Sequence, residues 1–144
     1  MSKVVTISEA ASIALHGLVL VAQADGELIN VNQISKITDS SRHHVAKVFQ
    51  QIVKNGWVSS QRGPSGGFRI IADPKEISFL DIYELIEGPI DRNYCPFGKH
   101  DTCSFKKCLL HGVTQRMTND FVEYLESQIL ADHVENNGLK EKKD

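Results

Sequence analysis

Residues 31–71 decide the fold, and they read VNQISKITDSSRHHVAKVFQQIVKNGWVSSQRGPSGGFRII. The polar run 38–40 separates two stretches with helical apolar spacing, because Thr, Asp and Ser favour turns. Gly56 then favours a left-handed end to the second helix. The segment therefore predicts two short helices joined by a turn. Their apolar positions are Val31, Ile34 and Ile37 in the first helix, and Val45, Val48, Phe49, Ile52 and Val53 in the second.

A hairpin is predicted directly after the second helix. Residues 57–62 and 68–71 flank Gly-Pro-Ser-Gly-Gly, which is too rich in glycine for anything but a tight or extended loop. Two helices, a short turn and a hairpin with an arginine on each arm make a winged helix-turn-helix, whose second helix enters the major groove of DNA. We predict a mainly α fold with a small β-hairpin wing and a long C-terminal dimerisation helix.

The charge of this segment also favours DNA binding. Residues 31–71 carry six Lys or Arg side chains against one Asp, a net charge of +5, whereas the whole chain has a formal charge of −2. Local positive charge is what attracts phosphate. Winged helices also serve as protein-docking modules, and that alternative stays open. The residues expected to contact DNA are Ser41, Arg42, His43, His44, Lys47, Gln50, Arg62, Gly63, Ser65, Gly66 and Arg69.

Further helices are predicted on both sides of this segment. One begins at a capping box of Thr6 and Glu9, and another at a box of Ser78 and Asp81. Asn30 and Gln33 make a similar cap at the start of the first helix of the segment itself. The longest helical pattern runs over residues 109–130, where an apolar residue recurs at every fourth position. A symmetric partner helix is the simplest cover for such a stripe, so we expect a homodimer. The stripe is Val113, Met117, Phe121, Leu125 and Ile129.

We divide the chain into four regions. They are a winged helix-turn-helix DNA-binding domain at 1–88, a cysteine-containing sensor loop at 89–111, a dimerisation helix at 109–134 and a disordered tail at 135–144. The first residues lack a signal-peptide pattern, and the apolar run at 10–22 is shorter than the roughly 18 residues that span a bilayer. A cytoplasmic location is expected, where thiols stay reduced.

The sensor loop holds every cysteine of the chain. Thiolates gathered on an irregular loop can close around a soft metal, and three thiolates with one further donor make a set of four. The open alternative is that these are small loop residues or redox thiols without a metal. The expected metal ligands are Cys95, Cys103, Cys108 and His111, which lies about one turn beyond Cys108. Rival fourth donors are His16 and Glu9, which could come from a partner chain, and His100 and Asp101.

The run KNGWVSSQRGPSGGF and the cysteines that end in CLLH carry a family resemblance. Over about residues 8–134 the chain resembles the Rrf-type winged helix-turn-helix transcriptional regulators, the IscR/NsrR/CymR-like repressor family. The resemblance implies a homodimer crossed by the long helix, a palindromic operator in double-stranded DNA and, in cluster-binding members, an iron–sulfur cluster on the loop. Cys95, Cys103, Cys108 and His111 match the ligands of such members. His16 falls where some relatives place a ligand from the partner.

The leading hypothesis is a homodimeric DNA-binding regulator that senses iron–sulfur, redox or nitric oxide status through a cluster, [2Fe-2S] or [4Fe-4S]. His111 is favoured over His16 as the fourth ligand, because one loop then presents all four donors. One alternative is a cluster-free regulator that senses by cysteine oxidation or partner-protein binding. Another is an iron–sulfur redox protein without operator binding. No enzyme is expected, since the chain has no phosphate loop, nucleophile elbow or paired-histidine zinc motif.

Overall fold

The computed structural model describes residues 1–99, 101–135 and 138. Within these residues the chain forms six α-helices and one two-stranded antiparallel sheet, which confirms the predicted mainly α fold with a β-hairpin wing. His100 and most of the predicted tail, 135–144, lie outside the described residues. In chain order the elements are α1 (Glu9–Gln23), α2 (Val31–Thr38), α3 (Arg42–Lys54), β1 (Val58–Gln61), β2 (Gly67–Ile70), a 3-10 turn (Pro74–Glu76), α4 (Phe79–Glu87), α5 (Val113–Ser127) and α6 (Asp132–Glu135).

Polar side chains determine where the first helices begin. α2 and α4 begin at their predicted capping boxes. The box predicted at Thr6 is wrong, because Ser8 caps α1 instead. The Oγ of Ser8 accepts the N–H of Ala11 at 3.0 Å and donates its own proton to the carboxylate of Glu87 at the end of α4. Ser8 therefore both starts α1 and ties its first turn to α4.

The core of the winged domain is built around Phe49 of α3. Its ring is fully buried and contacts the ring of Phe68 in β2, with 4.7 Å between the centroids. On its other side lies Gly17 of α1, where an added Cβ would sit only 2.6 Å from the Phe49 ring. Ile34 of α2 borders the same point. α1 and α3 therefore approach as closely as a glycine allows.

The wing is joined to the core by a contact that the sequence did not suggest. β1 and β2 pair as an antiparallel hairpin, as predicted. Phe68 of β2 also exchanges two backbone hydrogen bonds, of 2.8 and 2.9 Å, with Ile29 just before α2. A Cβ on Gly67 would lie 2.6 Å from the Ile29 carbonyl oxygen, so the close approach requires glycine there. The wing is consequently attached along one arm to the helix-turn-helix.

The helix predicted over residues 109–130 is wrong at both ends. Residues 109–112 form turns, and Gly112, with φ +72°, immediately precedes α5. At the other end Gln128 is extended, because its carbonyl accepts the N–H of Phe79 at 2.8 Å. The chain then turns into α6. The region assigned to one dimerisation helix therefore contains two helices.

The apolar stripe predicted on this region does not stay on one face of α5. Each step of four residues advances about 40° around a helix, so a stripe at every fourth position winds about the axis. Val113 and Met117 are exposed, whereas Phe121 packs edge-on against Tyr83 of α4 with centroids 5.9 Å apart. Leu125 is buried within its own chain. Only the first part of the stripe is left for a partner.

Gly17→Ala tests the close approach of α1 and α3. Helix propensity alone favours alanine over glycine by about 1 kcal/mol. We expect the opposite sign, a loss of about 1–3 kcal/mol in the free energy of unfolding, because the methyl group overpacks against the Phe49 ring. Urea denaturation measures it. Phe49→Leu removes the ring atoms involved and should cost less in the Gly17→Ala background than in the wild type. A stabilised Gly17→Ala protein contradicts this packing.

Candidate nucleic-acid interface and cysteine loop

One face of α3 carries several of the predicted DNA contacts. His43, Lys47 and Gln50 are spaced by four and three residues, so they share a face, and all three are exposed. The opposite face, which includes Val45 and Phe49, is buried in the core. α3 thus presents polar and basic side chains to solvent from a firmly packed helix, as a recognition helix must.

Two side chains in the first turn of α3 are held by neighbouring helices. The Nδ1 of His44 lies 2.8 Å from the Oε1 of Glu9 in α1, and Arg42 Nη1 donates to the Oδ1 of Asn32 in α2 at 3.4 Å. Ser41 is the N-cap of α3, and its Oγ accepts the N–H of His44 at 3.1 Å. The sequence does not reveal that Glu9 and Asn32 belong to the interface, because they lie 35 and 10 residues from His44 and Arg42.

The wing tip combines an exposed arginine with a backbone shaped by glycine. Arg62, Gly63 and Ser65 are exposed, and the N–H of Gly66 donates to the carbonyl of Gly63 at 2.9 Å. A Cβ on Gly66 would lie 2.2 Å from the carbonyl oxygen of Gln61, so a side chain there would open the tip. A cleft of about 310 Å³ lies between this tip and the start of α2.

Arg69, on the other arm of the wing, forms a hydrogen bond within the chain. Its Nε donates to the carbonyl of Gly26, in the turn after α1, at 2.5 Å. The side chain is nevertheless exposed. Arg69 therefore ties the wing to the helical core, whereas Arg62 extends from the tip.

All three cysteines line one cavity in the sensor loop. Cys95, Cys103 and Cys108 border a volume of about 510 Å³, together with apolar side chains that include Phe97 and Phe105. Each thiol is free of a disulfide. Cys95 is half-buried and the other two are exposed. The fold therefore brings the three predicted thiol ligands to a common space.

Cys108 lies in the turn that leads into α5, where backbone N–H groups surround its sulfur. Hydrogen bonds from the N–H of Leu110, then from those of Gly112 and His111, lower the pKa of the Cys108 thiol, and slight desolvation opposes them. A lowered pKa favours the thiolate, which is the form that binds metals and attacks electrophiles.

The two candidate histidine ligands lie outside this cavity. His111 has a left-handed backbone, with φ +49°, and its carbonyl accepts Arg116 Nη1 at 3.0 Å. Its exposed side chain is not among those that line the cavity. The Nδ1 of His16 pairs with the carbonyl of Ser12 at 2.8 Å, and the ring borders a separate cavity of about 270 Å³. Within one chain, neither imidazole joins the three thiols.

Glu9 and Asp101, two further rival donors, do not complete the set either. The carboxylate of Glu9 is engaged by His44, and Asp101 is exposed beside a neighbouring cavity that it shares with Cys95. Across residues 1–99, 101–135 and 138, no three His, Cys, Asp or Glu side chains gather closely enough to hold a metal ion. The loop brings its thiols to one space without converging them on a single point.

A basic recognition helix, a glycine-shaped wing attached to it and a helical core define a winged helix-turn-helix DNA-binding regulator. A family model described as Rrf2, iron-dependent transcriptional regulator, matches residues 7–136, and the chain belongs to that family. It is a transcriptional regulator rather than an enzyme, as expected from the sequence. In the described part of the chain, no helix has the length and apolarity needed to cross a membrane.

Individual relatives agree with this assignment. The HTH-type transcriptional regulator NsrR of Bacillus subtilis (strain 168) is 28% identical over 118 residues, which cover 81% of this chain and 81% of that protein. Two solved structures share the fold. CymR (YrzC), the global cysteine regulator of B. subtilis, has a TM-score of 0.72 and 21% identity, covering 93% of this chain and 99% of that one. IscR of T. potens has a TM-score of 0.70 and 20% identity, covering 94% and 90%.

Arg62→Ala tests the assignment of the wing tip to the DNA backbone. We expect weaker binding to every duplex and a salt slope smaller by about one unit, the effect of one lost phosphate contact. Lys47→Ala should instead alter sequence preference, because we expect its exposed side chain to face the groove. Fluorescence anisotropy over a range of salt concentrations measures both, with Lys75→Ala in the 3-10 turn as the charge-matched control. If neither Arg62→Ala nor Lys47→Ala changes DNA binding, the result favours the alternative in which the winged helix docks another protein.

Proposed function

We propose that this regulator acts as a homodimer and senses iron–sulfur, redox or nitric oxide status through an iron–sulfur cluster on the sensor loop, the cysteine loop of residues 89–111. The observation that carries the proposal is the shared cavity of Cys95, Cys103 and Cys108. These three thiols are free of disulfides and form a set of soft metal donors on one loop. The loop directly precedes α5, whose exposed apolar residues are a candidate dimer surface.

The donor chemistry of the loop fits an iron–sulfur cluster. Thiolates are the ligands that such clusters take, and the lowered pKa of the Cys108 thiol favours that form. The three side chains border one cavity of about 510 Å³ without converging, so loading is expected to order the loop. When bound, a cluster supplies iron chemistry that responds to oxidants and to nitric oxide. The residues proposed to hold it are Cys95, Cys103 and Cys108 with one histidine; [2Fe-2S] and [4Fe-4S] stay open.

The fourth ligand distinguishes two arrangements of the dimer. His111 lies three residues beyond Cys108 and belongs to the same turn, so a change of its backbone would bring it to the cavity from the same chain. His16 borders a different cavity of its own chain and could reach the loop only from the partner. We favour His111, because a fourth ligand from the same loop requires fewer groups to become ordered when the cluster binds.

A second candidate is a regulator without a cluster that senses by cysteine oxidation. The exposure of Cys103 and Cys108, together with the absence of a converged ligand group among the described residues, supports it. Thiols in contact with solvent can be oxidised directly. Anaerobic purification with iron and sulfide analysis separates the two, since a colourless, iron-free protein that still regulates DNA binding through its thiols fits only the second candidate.

The DNA-binding surface proposed for each protomer combines the α3 face with the wing tip. Lys47 and Gln50 face the major groove, Arg42 and His44 lie in the first turn, and Arg62 reaches the phosphate backbone. A two-fold dimer then reads a palindromic operator whose half-sites lie about one helical turn of DNA apart. The remaining proposed contacts are Ser41, His43, Gly63, Ser65, Gly66 and Arg69.

The dimer surface we propose is the exposed apolar side of α5. Val113, Met117 and Tyr124 are 37%, 41% and 53% exposed, and at 100° per residue they fall within about 40° of one another around the helix. Val122 and Leu125, on another side, are already buried in their own chain. The apolar strip therefore remains available for a second α5.

Met117→Glu tests this surface. Wild-type protein should form a dimer of about 32 kDa, twice the chain mass of 16.0 kDa. Met117→Glu should shift it towards monomer, because two buried carboxylates would face each other across the two-fold axis. Asn119→Glu, about 160° around the same helix, is the matched control and should stay dimeric. Light scattering at micromolar concentration gives the masses. A wild-type monomer, or Met117→Glu and Asn119→Glu proteins of equal mass, would remove this surface from the proposal.

Histidine substitutions test the ligand set. Under anaerobic loading, His111→Ala should lose iron and sulfide or change the absorption spectrum, whereas His16→Ala should resemble the wild type, because His111 is proposed to complete the set. His43→Ala, a histidine of the DNA face, is the control. Normal cluster content in His111→Ala would contradict the assignment of His111 as the fourth ligand. Loss of the cluster in His16→Ala alone would assign the fourth ligand to His16 of the partner subunit.

A further inference from the structure

Glu9, the first residue of α1, reaches the recognition helix. Its Oε1 lies 2.8 Å from the Nδ1 of His44, although the two residues are 35 positions apart. The first turn of α1 is itself fixed, since Ser8 caps it and donates to the carboxylate of Glu87. The imidazole is therefore held from a helix whose first turn is also fixed by a contact outside α3, with α4.

This hydrogen bond determines what the His44 ring offers to a ligand. A carboxylate only accepts hydrogen bonds, so Nδ1 is the nitrogen that carries the proton. In the neutral ring the other nitrogen, Nε2, is then an acceptor. The His44 side chain is 35% exposed, so this acceptor is not enclosed by the core.

His44 lies in the first turn of α3, the proposed recognition helix. It is the third residue of α3, and its own N–H is bonded to the capping Ser41. Residues in the first turns of such helices contact base edges in the major groove. The groups there that donate to an acceptor are the exocyclic amino groups, N6 of adenine and N4 of cytosine.

We infer that Glu9 is a specificity-determining positioning residue: by holding the Nδ1 proton of His44, it presents Nε2 to an amino group of adenine or cytosine in each half-site. The inference rests on the proposed role of α3 as the recognition helix. Glu9 itself makes no base contact.

Plain electrostatics predicts a different outcome for the same residue. An acid near DNA repels phosphate, so its removal should strengthen binding to all sequences alike. Loss of positioning should instead flatten the preference at one base position and leave the salt dependence unchanged. The two effects are therefore separable by sequence preference.

The experiment is selection from a pool of duplexes with randomised half-sites, followed by binding to the selected duplex and to single-base variants of it. The proteins are the wild type, Glu9→Ala, Glu9→Gln, His44→Ala and the Glu9→Ala/His44→Ala double variant, matched for iron content. Glu27→Ala, in the turn at the far end of α1, controls for removal of one acidic charge.

The wild type should prefer one base pair at one position of each half-site by about five-fold, the effect of one hydrogen bond donated by the adenine N6 or cytosine N4 of that pair. Glu9→Ala and His44→Ala should lose that preference at the same position, and the double variant should lose no more than either alone. Glu9→Gln, whose amide oxygen can accept from Nδ1, should retain it, as should Glu27→Ala.

Two results overturn the inference. One is a Glu9→Ala protein with the wild-type preference, or with uniformly tighter binding only. The other is a His44→Ala protein that keeps the wild-type preference at every position. The proposed DNA interface fails separately, if His44→Ala, Lys47→Ala and Arg62→Ala all bind the selected duplex as the wild type does.

Discussion

The ring of Phe49, packed between Gly17 and Phe68, is the contact on which the DNA-binding surface depends. It joins the recognition helix to α1 on one side and to the wing on the other. Because interiors are close-packed, a fixed ring at this point fixes the relative positions of all three elements. The basic residues of α3 and the arginine at the wing tip are separate in sequence. The shared core beneath them leaves α3 and the wing little freedom to move independently.

Features that depend on neighbouring residues were predictable from the sequence. The capping boxes of α2 and α4, the turn before α3 and the glycine-rich hairpin all follow from local backbone chemistry. The fold class follows from their order. The start of α1 was misplaced, because Ser8 competes with Thr6 as a cap and also bonds to Glu87, a partner that no local pattern reveals.

Features that depend on long-range contacts were not predictable. The pairing of Ile29 with Phe68 adds a third segment to the wing, and the Glu9 contact with His44 braces the recognition helix from another helix. The end of α5 is set by a hydrogen bond from Phe79, and its apolar stripe turns inward as it winds. For the cysteine loop, spacing identified the three thiols that share a cavity. It could not establish a fourth donor, because the candidates lie in different places and one of them would come from another chain.

The cysteine loop connects the end of α4, which bonds to the first turn of α1 through Ser8, to the start of α5. A change in the loop can therefore reach α1, which packs against α3, through α4 and Ser8. Regulation requires only that one loop state favours one DNA-binding geometry. The most direct measurement is the affinity of one anaerobically loaded preparation for its selected duplex, before and after the iron is removed, at fixed salt. The account predicts a change of about five-fold or more in the wild type, the usual range of coupling between two sites. It predicts no change in Cys103→Ser. Equal affinities of the loaded and stripped wild-type protein would contradict it.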